Sequence, residues 1–155
     1  MEATTALLQS ALTPAFLLVA LGSMLNLYTG RLSRIIDRAR TLQASYDQSV
    51  GIEHDRIVTE LRGLSKRIAT VNAAIAMGVL SAIVVSVLIG ILFLMGMAGL
   101  KLETQAAFAF LIAIVLMCGS LAMFMLEVRL ATRLVRISED YLELPPKKKR
   151  KRKPR

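Results

Sequence analysis

Five charged residues, Arg31, Arg34, Asp37, Arg38 and Arg40, crowd into ten positions directly after a 28-residue stretch that carries no charge. Guanidinium groups are permanently charged forks that match carboxylate and phosphate oxygens two at a time, so the chemistry this cluster offers is anion recognition. On a helix Arg31, Arg34 and Arg38 share a face, and Arg34–Asp37 and Asp37–Arg40 stand three apart, close enough to pair. Glu127 ends another uncharged stretch and is expected at the same depth, opposite Arg31 or Arg34. Two readings compete for this interfacial cluster. One is an anchor that fixes topology and touches lipid phosphate. The other is a dedicated anion site. The anchor is favoured, because runs of charge are ordinarily solvated.

Other chemistry is sparse. Asn26 is the most polar side chain within the apolar stretches, and it needs a partner such as Ser23, Thr29 or Asn72, because lipid offers none. A structural bond between helices is favoured over a polar conduit lined by Ser23 and Asn26, since intramembrane function usually recruits ionisable groups. His54, the one histidine, reads as a surface helix residue beside Glu53 and Asp55. Met95 and Met97 lie at the opposite end of the spans from Met123 and Met125, so with Cys118 they cannot build a single soft-metal site. No Ser–His–Asp or Cys–His arrangement can be assembled, and no phosphate-cradling glycine loop is present. The sequence therefore assigns no catalytic residue, no metal ligand and no cofactor, and the chain reads as not an enzyme.

These residues must be positioned by long helices. Of the 155 residues, 55% are hydrophobic, and the charges avoid three windows: residues 3–30, 68–100 and 104–126. Each exceeds the roughly 20 helical residues that a ~30 Å hydrocarbon core requires. The first window has no basic residue ahead of it, unlike a secretory signal peptide, and is expected to be a retained helix. The fold class is all-α: three transmembrane helices extended by an antiparallel helical hairpin and a C-terminal helix. The expected segments are 13–30, 71–100 and 106–126 for the spans, 31–70 for the hairpin, 127–144 for the last helix and 145–155 for a disordered basic tail. Thr13 would cap the first span with Pro14 in its first turn, and Tyr28 would sit at headgroup level. In the hairpin, Leu32, Ile35, Ala39, Leu42 and Tyr46 face Ile57, Leu61, Leu64, Ile68 and Val71 at alternating three- and four-residue spacing, a coiled-coil pattern. Gly51 makes the turn, and each arm projects ~28 Å. Nineteen of the 20 basic residues fall on the hairpin side. That side is expected to be cytoplasmic, with the N-terminus outside.

The second span carries a ridge of small residues, Ala74, Gly78, Ala82, Ser86 and Gly90, at successive steps of four. Such a ridge lets helix backbones approach closely. Packing within the chain is favoured over a dimer contact, which would use the same physics.

Three segments carry a family resemblance: Leu12-Thr13-Pro14-Ala15, Arg31-Leu32-Ser33-Arg34-Ile35-Ile36-Asp37-Arg38-Ala39-Arg40, and Glu127-Val128-Arg129-Leu130-Ala131. Together they resemble the bacterial family labelled domain of unknown function 2721, over roughly residues 10–140. The resemblance implies a three-helix protein of the bacterial inner membrane and brings no activity or catalytic residue with it.

The basic tail, Lys147, Lys148, Lys149, Arg150, Lys151, Arg152, Lys153 and Arg155, lies outside that resemblance and has nothing to bury. Its partner must be anionic: acidic lipid first, an acidic protein or nucleic acid after it. The leading functional expectation is a non-catalytic scaffold or regulatory subunit that engages a cytoplasmic protein partner. A homo-oligomeric conduit and a nucleic-acid tether working through the tail are the alternatives. Deleting residues 147–155 should leave insertion and topology intact and remove the salt-sensitive enrichment of anionic lipid around the protein. Misinsertion of the truncated chain, seen by protease accessibility, would show that the tail does something else.

Overall fold

The computed structural model describes residues 2–134, and these form three helices without a strand: α1 (Glu2–Tyr46), α2 (Ile52–Ala98) and α3 (Glu103–Leu134). Each is long and apolar enough to cross a membrane, which is the make-up of a multi-pass membrane protein. At 1.5 Å per residue, α1 and α2 are each about 70 Å long, more than twice a hydrocarbon core. The expected end of the third helix beyond Leu134 and the whole basic tail lie outside the described residues.

Two glycines make the connections possible. Gly51 has φ 67° and Gly99 has φ 65°, a region open to glycine at no steric cost. Gly99 closes α2 as a left-handed cap, its N–H donating to the Met95 carbonyl at 3.0 Å. At the other turn the Ser49 hydroxyl donates to the Tyr46 carbonyl at 2.8 Å and lies 3.2 Å from His54 Nδ1. The His54 ring leans on that of Tyr46, centroids 4.5 Å apart. His54 thus braces the turn and is half-buried by it.

The start of α1 corrects one expectation. Thr13 and Pro14 do not begin the helix; they lie a dozen residues into it. A proline inside a helix removes one backbone bond, a loss that membrane helices tolerate when neighbours re-satisfy the freed carbonyl. Pro14 is buried and lines a small cleft with Leu88, Leu92 and Phe110 at the Gly99 end of the molecule.

Helix α2 is the centre. Helices α1 and α3 both pack along its length, and their backbones approach one another at few points. The two seams share a period. On α1 the residues Pro14, Leu21, Tyr28, Ile35 and Leu42 are buried, and on α2 the residues Ile57, Leu64, Val71, Gly78 and Val85, every seventh position in each case. The second seam uses Ala74, Ser81 and Leu88 of α2 against Ala106, Ala113 and Ser120 of α3, again seven apart and all buried. Two hydrogen bonds fix its register: Ser81 Oγ donates to the Ala113 carbonyl at 2.8 Å, and Ser120 Oγ donates to the Ala74 carbonyl at 2.7 Å. A step of seven forward on α2 is therefore a step of seven back on α3. A straight α-helix drifts off such a repeat by about 20° per heptad, so a seam kept in contact this long requires a left-handed supercoil. The outward faces carry Phe16, Val19, Val87 and Val115, each more than half exposed, the surface that lipid would cover.

Close packing leaves little room at Gly78. A Cβ there would stand 3.0 Å from Leu25 Cδ2 and 3.2 Å from Ser120 Oγ, whereas at Gly90 it would meet nothing within 4 Å. Gly78→Leu should cost ~1–3 kcal/mol through overpacking, and Gly90→Ala should be neutral or slightly stabilising through helix propensity. Thermal unfolding of the detergent-solubilised variants checks both; equal behaviour would contradict the seam.

Candidate functional site

The three uncharged windows of α1, α2 and α3 end at Arg31, Arg67 and Glu127 respectively, and these three side chains meet. Glu127 has a fully buried side chain. Arg67 donates to its Oε1 from Nε at 3.1 Å and from Nη2 at 2.8 Å. Arg31 Nε lies 2.8 Å from Oε2, but it is not aligned to donate, and Oε2 has no hydrogen-bond partner. That contact is an ion pair held by charge alone. Burying a carboxylate is tolerable only with such compensation. Two cations against one anion also leave the junction with a net positive charge.

Aromatic rings back the junction. Tyr28 stacks on Phe124 with centroids 4.4 Å apart, and the Arg31 guanidinium carbon sits 5.6 Å from the Phe124 ring centre. Tyr28 is only 1% exposed and its hydroxyl is buried without a partner among the described residues. Its place on the seven-residue repeat of α1 turns Tyr28 toward Val71 and α3, so a ring expected at headgroup level is packed inside the protein.

The arginines of α1 separate into distinct roles. Arg38 reaches Glu60 on α2, with Nε and Nη2 at 2.9 and 2.8 Å from Oε1. Both groups are well exposed, so the pair is worth little. Asp37 pairs with neither Arg34 nor Arg40; its carbonyl accepts from Thr41. Arg34 has no acidic partner among the described residues. Arg31, Arg34, Arg38 and Arg67 line an open cavity of about 600 Å³ together with Asn26 and Gly30. Asn26 is exposed toward this space, and it does not receive the bonds expected from Ser23 and Thr29. Both of those hydroxyls fold back onto their own helix, Ser23 to the Val19 carbonyl and Thr29 to those of Leu25 and Asn26.

The small-residue ridge divides. Ala74 and Gly78 are buried and Ala82 is half-buried, whereas Ser86 and Gly90 are exposed; Ser86 bonds back to the Ala82 carbonyl. A step of four drifts around a supercoiled helix, while the contact follows steps of seven.

Sequence reasoning missed Arg67, Ser81 and Ser120. The signal for all three was available: Arg67, Ala74, Ser81 and Leu88 stand seven apart on α2, as do Ala106, Ala113, Ser120 and Glu127 on α3. Cys118 is exposed on the outer surface of α3. No cluster of three metal-ligating side chains occurs among the described residues.

Two measurements test the junction. Arg67→Met and Glu127→Gln should each destabilise the solubilised protein, by up to the ~3–5 kcal/mol typical of a broken buried pair. The double variant should lose much less than the sum, and strict additivity would mean the two groups are not coupled. Tyr28→Phe should be neutral or stabilising, because it removes a buried hydroxyl without a partner; a large loss of stability would reveal a bond to the hydroxyl.

No curated protein and no solved structure matches the chain. A family model does, over residues 11–137, described as protein of unknown function (DUF2721). The matched range takes in α1 from Ala11, all of α2 and α3, the Arg31–Arg67–Glu127 junction and both seams, and the chain belongs to the DUF2721 family.

Proposed function

We propose that the protein is a non-catalytic scaffold or regulatory subunit of the bacterial inner membrane, with its N-terminus outside and the α1–α2 turn in the cytoplasm. The observation that carries this reading is the length of α1 and α2 past the junction. Fifteen residues separate Arg31 from Tyr46 and Ile52 from Arg67, so the paired helices reach about 22 Å beyond the level where the charge-free windows end. This hairpin is closed inside by Ile35, Leu42, Ile57 and Leu64. Its far end carries Val50 and Ile52, 87% and 90% exposed. A charged rod with an apolar tip suits contact with another protein. Among the described residues the one buried carboxylate, Glu127, is held by arginine.

Self-association is the second reading, favoured by the exposed half of the small-residue ridge at Ser86 and Gly90. It would let several copies gather around the arginine cavity as a conduit.

Two experiments separate these. In a Cys118→Ala background, Gln48→Cys should resist an impermeant thiol reagent in intact cells and Thr104→Cys should react; the reverse pattern would overturn the orientation. A photoreactive residue at Val50 should crosslink to one recurrent heterologous protein in native membranes. Crosslinks to the same chain alone would favour the oligomer, and none at all would remove the support for a scaffold.

A further inference from the structure

The arginine cavity holds more positive charge than the described residues neutralise. Arg31, Arg34, Arg38 and Arg67 line it. The acidic groups that touch these four are Glu127, shared by Arg31 and Arg67, and Glu60, paired with Arg38. Among the described residues two of the four charges are left over, and Arg34 is the one without an acidic partner. The cavity is also shaped by an absence: a Cβ on Gly30 would meet nothing within 4 Å, so the backbone there leaves a notch between Asn26 and Arg34. Leu27 supplies an apolar wall on the side of the charge-free window. Phosphate at the polar level and hydrocarbon beside Leu27 are what a lipid presents at the boundary of the bilayer. Basic pockets between membrane helices take such headgroups. The wall is held in place beforehand, because Glu127 fixes Arg31 and Arg67 and Phe124 backs Arg31.

We propose that this cleft is a binding site for the phosphate headgroup of one anionic lipid, held by Arg34 with Arg31 and Arg67, its first acyl segment lying over Leu27. The site is separate from the basic tail, and it depends on the proposed orientation only for which leaflet supplies the lipid.

The test uses the full-length protein in a neutral detergent, so that the tail is common to every sample. Cardiolipin, phosphatidylcholine and inorganic phosphate are titrated and binding is read by native mass spectrometry and by thermal shift. At high ionic strength, which screens the solvated tail, cardiolipin should bind at one molecule per chain and raise the melting temperature, and phosphatidylcholine should not. Arg34→Gln should weaken cardiolipin about fivefold, the effect expected for one basic contact near a membrane surface. Gly30→Leu, which fills the notch and removes no charge, should weaken it comparably. Both positions are exposed, so neither variant should lose stability without lipid, and unfolding in detergent alone checks this. Cardiolipin binding unchanged in both variants would overturn the proposal. So would stabilisation by millimolar inorganic phosphate equal to that by cardiolipin, which would make the site one for a soluble anion.

Discussion

A charge that enters hydrocarbon without a counter-charge is expensive, and this one constraint sets the depth of every helix. Arg31, Arg67 and Glu127 are the first charges after three apolar windows, and they meet at one point. Sliding a helix inward by a turn would carry its charge into lipid and away from its partner. The junction therefore acts as the datum from which both seams are measured. From Arg67 and Glu127 the α2–α3 contact proceeds in steps of seven through the two serine bonds. From Arg31 the α1–α2 contact continues through Ile35 and Leu42 away from the apolar windows.

The serine bonds show how register is set where the hydrophobic effect is silent. Inside a bilayer apolar side chains gain nothing by leaving lipid for protein, so packing and hydrogen bonds must choose the alignment. Each bond contributes only about 0.6 kcal/mol on average, but a shift of α3 along α2 would break both together and turn the hydroxyls back onto their own helices, as Ser23 and Ser86 are. Specificity comes from the two bonds failing together more than from the strength of either.

Much of the architecture was legible in the sequence for the same physical reason. Charge-free windows report hydrocarbon directly, and the three helices follow from them. The apolar set Ile35, Leu42, Ile57, Leu64 and Val71 was readable because charged and polar residues surround it in the sequence, so polarity contrasts there. Within the spans both sides are apolar, and that contrast vanishes. The burial of Tyr28 went unread on that account, and the ridge from Ala74 to Gly90 was read with a step of four where the packing uses seven. Pro14 misled because capping rules describe helices that begin in water. Of the site, the arginine face and the depth of Glu127 were readable from spacing. That Arg67 would be the bidentate partner was overlooked, because the signal lies in the matching steps of seven from Arg67 to Leu88 and from Ala106 to Glu127, not in any local cluster of charge.

Because α2 is read by two neighbours at once, its length is quantised. Inserting one residue in its middle would rotate everything beyond by about 100°, carrying Ser81 away from α3 and Val85 away from α1 together. Neither neighbour could repair both faults by sliding. Only a change of seven, matched in α1 and α3, keeps all three helices in phase. Relatives of different thickness should thus differ within the spans by whole heptads, and a relative with a lone extra residue there would have to absorb it in a local bulge of the helix.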